Sequence, residues 1–144
     1  MKRAKSDNHV TANIGLYYVC YKLSRMGWNV MPTARNARGI DIVAHSKNGS
    51  KFVGIQVKTL SRRNAVSLGP SVDGLMGDFW IIVNNVAQEP NAFILPPDEI
   101  RRLAECREKN GKVSFWLEPR AYDIPEFKEA WQQIGYGDDL AGRR

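Results

Sequence analysis

Two period-two segments joined by an Asn-Gly pair constrain this chain more than any other feature. Residues 39–45 and 52–59 alternate apolar with polar or small side chains, and Lys47-Asn48-Gly49-Ser50 lies between them. An Asn-Gly pair between two such runs is the strongest short-range hairpin signal, because both central residues of a type I′ turn need positive φ. With Asn48 and Gly49 as a two-residue loop, Lys47 pairs with Ser50 and the rest of the register follows. Ile42 then faces Ile55, Ala44 faces Val53 and Ile40 faces Val57. All six are apolar and share one face, as a core face requires.

The opposite face carries the chemistry. The same register sets Asp41 opposite Gln56, Val43 opposite Gly54 and His45 opposite Phe52, with Lys58 two residues beyond Gln56. Directly opposed residues have Cβ atoms ~5 Å apart, so Asp41 and Gln56 can share one cation that Lys58 also reaches. A hard divalent ion takes oxygen ligands and keeps several waters. Asp41 offers a charged oxygen, Gln56 an amide oxygen, and the Val57 carbonyl between Gln56 and Lys58 a third. Such an ion polarises a phosphodiester and acidifies a bound water, and a lysine can position that water or stabilise the extra charge of the transition state. His45 sits on the same face but ~13 Å from Asp41 by strand rise, and reads as solvent-facing.

Around the hairpin the chain alternates helix and strand signals. Residues 10–26 read as a helix, with Val10, Ile14, Tyr17, Tyr18, Tyr21 and Met26 at helical spacing and Gly27 as the stop. Residues 28–33 read as a short strand and 34–38 as a basic loop. The stretch 60–78 shows no period and reads as a functional or mobile loop. Phe79–Asn84 is continuously apolar, hence a central strand; 92–95 is another. Pro97 opens a helix to about Asn110, closed by Gly111. Residues 113–117 read as an edge strand and 125–134 as a final helix, with Phe127, Ala130, Trp131 and Ile134 on one face. The tail after Gly135 reads as loose. This order predicts a mixed α/β domain with one central sheet flanked by helices.

The 144 residues fit a single domain, 1–144. No apolar run approaches the ~20 residues of a membrane span, and the basic start, Met1 to His9, is not a secretory signal. Cys20 and Cys106 lie far apart without zinc-ligand spacing and read as buried thiols in helices, consistent with the cytoplasm. The four tryptophans lie in separate elements and read as core. A net charge of +6 favours an anionic partner, with nucleic acid first in line.

At these residues the chain resembles a known group. Ile14-Gly15-Leu16-Tyr17-Tyr18-Val19, Gly27-Trp28, Asn36-Ala37-Arg38-Gly39-Ile40-Asp41-Ile42 and Ile55-Gln56-Val57-Lys58-Thr59 resemble the PD-(D/E)XK nuclease superfamily, more narrowly small bacterial endonuclease-like proteins with a D…QxK signature. Phe93-Ile94-Leu95-Pro96 and Trp131-Gln132-Gln133-Ile134 fit the same group, so the resemblance spans about 12–134. It implies a restriction-endonuclease-like core, with a mixed four- to five-stranded sheet flanked by helices. It further implies Mg²⁺ (or Mn²⁺) dependence, a DNA substrate, Asp41 as metal ligand, Gln56 in place of the usual second acid, and Lys58 as the catalytic lysine. Relatives that cut both strands often dimerise, so the resemblance admits a homodimer without fixing the oligomeric state.

The sequence departs from the group twice. Gln56 is neutral where many relatives carry Glu, and Leu16 stands where relatives often have a helix Glu; Asn13 and Asn36 are the nearest neutral substitutes. Arg35, Asn36 and Arg38 before the Asp41 strand, and Arg62 and Arg63 after Lys58, are the expected DNA contacts, since arginine forks suit phosphate oxygens. Arg101 and Arg102 read as plain surface charge. The expected activity is metal-dependent endonuclease action of a restriction, repair or junction-processing kind. The rival expectations are a nuclease-like module that grips DNA without cutting, and a subunit whose 60–78 loop docks on a partner.

Overall fold

The computed structural model describes residues 7–34 and 39–138. Helix α1 (Asp7–Arg25) packs on a five-stranded mixed sheet in the order β1-β2-β3-β5-β6, formed by β1 (Asn29–Pro32), β2 (Ile42–His45), β3 (Phe52–Thr59), β5 (Phe79–Asn84) and β6 (Asn91–Leu95). All neighbours are antiparallel except β3 and β5. A second sheet, β4-β8-β7, comprises β4 (Val66–Gly69), β8 (Lys112–Leu117) and β7 (Glu105–Lys109). Two short helices, α2 (Pro97–Leu103) and α3 (Pro119–Tyr122), complete the fold.

Two apolar clusters hold these layers. On one face of the main sheet, Val19 and Leu23 of α1 meet Ile42, Ala44, Ile55, Ile81 and Val83. On the other, Trp80, Ile82, Phe93 and Leu95 meet Val66 and Leu68 of β4, Ile100 of α2, Leu117 of β8, Tyr122 and Phe127. Burying one such side chain contributes about 1.5–3 kcal/mol. The main sheet is therefore flanked by helices on both faces, α1 on one and α2 on the other, with the second sheet packed beside α2.

The α1 residues whose spacing announced the helix are mostly its outer face. Val10, Ile14, Tyr17 and Tyr21 are exposed, while Leu16, Val19, Cys20 and Leu23 turn inward. Gly27, at φ +89°, ends the helix as expected.

Over Ile42–His45 the hairpin register holds, but its turn does not. Ile42 pairs with Ile55, Val43 with Gly54, Ala44 with Val53 and His45 with Phe52. The connection is wider than two residues: Ser46 N–H donates to the Lys51 carbonyl at 2.9 Å, and Gly49 N–H to the Ser46 carbonyl at 2.9 Å. Gly49 has positive φ and Asn48 does not. Asn48 Oδ1 instead accepts from the Ser46 hydroxyl and from both the N–H and the hydroxyl of Ser50. The two-residue type I′ geometry appears at the other Asn-Gly pair: Asn110 and Gly111 have φ +53° and +76°, and Lys109 pairs with Lys112.

That second turn corrects the expected helix over 97–110. It stops at Leu103, and β7 runs from Glu105 into the turn. Cys106 is therefore an exposed strand residue, whereas Cys20 is buried in α1. Residues 113–117 lie in β8, the middle strand of the second sheet, because the 60–78 stretch contains its other partner, β4. No helix spans 125–134. Phe127 and Ala130 are buried because the segment runs beside β6: Ile94 N–H donates to the Phe127 carbonyl, and Glu129 N–H to the Ala92 carbonyl. Only Trp131–Gln133 forms a 3-10 turn. Gly137 is pinned, donating to the Met26 carbonyl and accepting from Lys47 N–H. Trp28 and Trp80 are buried, whereas Trp116 and Trp131 are half-buried. No helix among the described residues is long and apolar enough to cross a membrane.

Candidate metal and nucleic-acid site

The register breaks at the residue that matters most. Regular pairing would give the Val57 N–H to the Ile40 carbonyl. Instead the Thr33 hydroxyl, at the end of β1, donates to that carbonyl at 2.6 Å, and the Asp41 carboxylate accepts from Val57 N–H at 2.7 Å. Asp41 N–H donates to the Ile55 carbonyl at 2.8 Å. Asp41 therefore does not lie in a plain ladder pair with Gln56; β2 pairs from Ile42 on, and Asp41 turns its side chain onto the β3 main chain. Within a strand, the N–H and C=O of one residue point to the same neighbour. The Val57 carbonyl thus faces the Asp41 side of β3. Ile40 is displaced as well. It does not share the Val57 face but packs toward Gly54, with its Cδ1 3.1 Å from where a Gly54 Cβ would stand.

Asp41, Val57, Lys58 and Thr59 line a cavity of about 410 Å³ closed by Thr33, Ala34 and the first half of α1, through His9, Ala12, Asn13 and Leu16. Gln56 lies beside this wall, not in it. It pairs with Trp80 of β5, is half-buried, and its Oε1 is buried without a hydrogen-bond partner. Lys58 Nζ lies 5.4 Å from the centre of the Trp80 ring. The structure thus groups Asp41, Val57 and Lys58 in one cavity and sets Gln56 next to them. Trp80 and Thr33 escaped the sequence reading. The parallel pairing that brings Trp80 under Lys58 depends on the 60–78 connection and leaves no local periodicity.

Among the described residues no group of three or more His, Cys, Asp or Glu could hold a metal. Among the described residues, Asp41, Gln56 and the Val57 main chain offer one carboxylate, one carboxamide oxygen and one carbonyl. This set is all oxygen and fits a hard cation that keeps its waters. The orphaned Gln56 Oε1 points the same way, since a buried acceptor left unpaired costs about 1–3 kcal/mol. On α1, Leu16 supplies no acid, and Asn13 is the polar group one turn earlier.

The expected DNA contacts divide. Arg35, Asn36 and Arg38 lie outside the described residues. Arg62 is exposed just past β3. Arg63 is exposed too, but its Nε donates to the Asp123 carboxylate at 2.6 Å. Arg101 and Arg102 pair with Asp98 and Glu99 on their own helix, as surface charges do. His45 makes a local contact with the Ser46 carbonyl, and its ring lies tilted against that of Phe52 at 5.7 Å between centres.

No protein-family model and no curated protein matches the sequence. Solved structures do. A bacterial homing endonuclease, I-Ssp6803I, matches 88% of this chain and 91% of its own with a TM-score of 0.58 at 17% identity. A Holliday junction resolvase, Hjc from Archaeoglobus fulgidus, covers 74% of this chain and 90% of its own with a TM-score of 0.45 at 17% identity. The first likeness shows the fold: this chain has a restriction-endonuclease-like fold, as the D…QxK resemblance implied. It shares that fold with an endonuclease.

Proposed function

We propose that the protein is a metal-dependent DNA endonuclease whose site is Asp41, Gln56, Val57 and Lys58. One observation carries the reading: the Asp41 carboxylate is fixed to the β3 main chain at Val57, in the wall of a cavity that Lys58 also lines. Asp41, the Gln56 carboxamide and the Val57 carbonyl would hold Mg²⁺ or Mn²⁺. When bound, such an ion supplies Lewis acidity toward a phosphodiester oxygen and a more acidic water. Lys58, held near the Trp80 ring, presents its ammonium to the attacking water or to the non-bridging oxygens, where it stabilises developing negative charge. Asn13 offers a further polar group to the water shell. Arg62, with Arg35, Asn36 and Arg38, would meet the DNA backbone, and a second copy would serve cleavage of both strands.

Cleavage of plasmid and oligonucleotide DNA, with and without Mg²⁺ or Mn²⁺, tests this. The reading expects metal-dependent nicking or cutting that Asp41→Ala and Lys58→Ala abolish. Cleavage that survives both substitutions sinks the site assignment.

A second reading rests on Leu16. Among the described residues the α1 wall of the cavity carries no acid and Gln56 is neutral, which leaves Asp41 as the carboxylate of the site. A nuclease-like module that binds DNA without cutting would show salt-sensitive DNA binding and no heat of Mg²⁺ binding. Saturable Mg²⁺ uptake that disappears in Asp41→Asn excludes it.

A further inference from the structure

We propose that the segment from Met76 to Trp80 is a positioning clamp that sets both Asp41 and Lys58; the inference rests on the reading of these two as the heart of the site. At one end the Met76 side chain covers Gly39, so closely that a Cβ there would lie 2.6 Å from its Sδ. Gly77 follows at φ +96°, a conformation only glycine takes without strain. Gly77 and Gly54 together open a notch, and Ile40 fills it. Its Cδ1 lies 3.4 Å from a Cβ built on Gly77 and 3.1 Å from one built on Gly54.

Asp78 then holds both main-chain polar groups of Gly54. Its N–H donates to the Gly54 carbonyl at 2.7 Å, and its carboxylate accepts from Gly54 N–H at 2.8 Å. At the far end the Trp80 indole N–H donates to the Met76 carbonyl at 2.9 Å. That bond fixes the ring that lies 5.4 Å from Lys58 Nζ.

The consequence for Asp41 is geometric. A regular ladder would carry Ile40 onto the Val57 face and give its carbonyl to Val57 N–H. Drawing Ile40 into the glycine notch prevents that. The next residue, Asp41, then meets Val57 with its carboxylate instead of a main-chain carbonyl. One short segment therefore sets the bend that aims Asp41 and the ring that carries Lys58. Its residues act through others and touch no reacting atom.

Four variants of the full-length protein test the clamp. Asp78→Ala removes the side-chain half of the grip, the acceptor for Gly54 N–H, while Asp78→Asn keeps that acceptor. Gly54→Ala pushes a methyl into Ile40, and Ile40→Ala in that background makes room for it. The first readout is amide hydrogen exchange at Val57 by NMR, which needs neither metal nor DNA. Asp78→Ala and Gly54→Ala are expected to speed it roughly tenfold while Ile81 and Ile82 of β5 keep wild-type protection. Asp78→Asn and the Ile40→Ala/Gly54→Ala double variant are expected to stay close to wild type. The second readout is calorimetric Mn²⁺ affinity, weakened in the first pair and recovered in the second. Val57 exchange unchanged in both Asp78→Ala and Gly54→Ala overturns the clamp, as does equal loosening of the β5 amides. Absence of Mn²⁺ uptake by the wild-type protein fails the metal site instead, and the exchange data still decide whether this segment places Asp41.

Discussion

Asp41 does two things with one carboxylate. It accepts the Val57 N–H that the β2 main chain would otherwise take, and it lines the cavity. The roles separate by substitution. Asp41→Asn keeps an acceptor for Val57 and removes the charge, so chemical denaturation should read near wild-type stability while Mn²⁺ binding is lost. Asp41→Ala orphans the Val57 N–H and should cost a further 1–3 kcal/mol or so. Gln56 behaves in the opposite sense. Its buried, unpartnered oxygen is a cost until something binds it. Gln56→Glu adds charge to the donor set, so the rise in melting temperature on adding Mn²⁺ should exceed that of the wild type. The metal-free variant should melt lower, because a half-buried carboxylate is dearer than an amide. A smaller Mn²⁺ shift in Gln56→Glu than in the wild type would remove Gln56 from the site.

At the scale of elements, what the sequence made legible follows from what is local. The apolar alternation of β2 and β3 fixed four cross-strand pairs correctly even though the turn between them has another geometry. A four-residue loop and a two-residue loop of the same parity leave the same pairs opposed. The bend at Ile40–Asp41 was invisible, because it is imposed by Gly77 and Asp78, far away in sequence. The same cause hid β4 and β7: each is short and takes its strand form from β8. Phe127 and Ala130 read as one helix face, but in the run beside β6 they part: Phe127 joins the cluster under the second sheet and Ala130 the cluster under α1.

Two elements invite direct tests. Gly15 lets α1 approach β3 closely, since a Cβ there would lie 1.8 Å from Thr59 Oγ1 and 2.7 Å from Thr59 Cβ. Gly15→Ala must therefore lift the helix from the sheet, at about 1–3 kcal/mol by analogy with overpacked cores. It should also open the cavity that both elements line; a melt unchanged from wild type would contradict the packing. Tyr18 tests the other side of α1. Burial first, and then its hydrogen bond to Glu129, push its hydroxyl far above the usual tyrosine range. The native state thus holds this proton more tightly than the unfolded chain. Stability from the Tyr18 proton is complete below about pH 10 and is lost as pH rises from there toward the folded-state value. Tyr18→Phe should flatten the alkaline fall of stability in denaturation curves above pH 10 or so.

Across the whole molecule, the site lies on β3, the middle strand of the five, backed by α1 on one face and by the second sheet on the other. That scaffold holds the site on regular elements, and the net charge of +6 suits an anionic substrate. DNA affinity should fall linearly on a log–log plot against salt. Arg62→Ala should lower the slope by about one ion. Arg63→Ala should change it less, because that guanidinium is already paired with Asp123. Equal slopes for the two variants would contradict the division of roles.

In the proposed function, Asp41 and Val57 together hold a divalent ion. A crystal of the protein soaked in Mn²⁺ tests it most directly. An anomalous peak between the Asp41 carboxylate and the Val57 carbonyl, within reach of Gln56 Oε1, is the predicted result. No peak there at saturating Mn²⁺, with the Asp41 carboxylate still bonded to Val57 N–H, would contradict it.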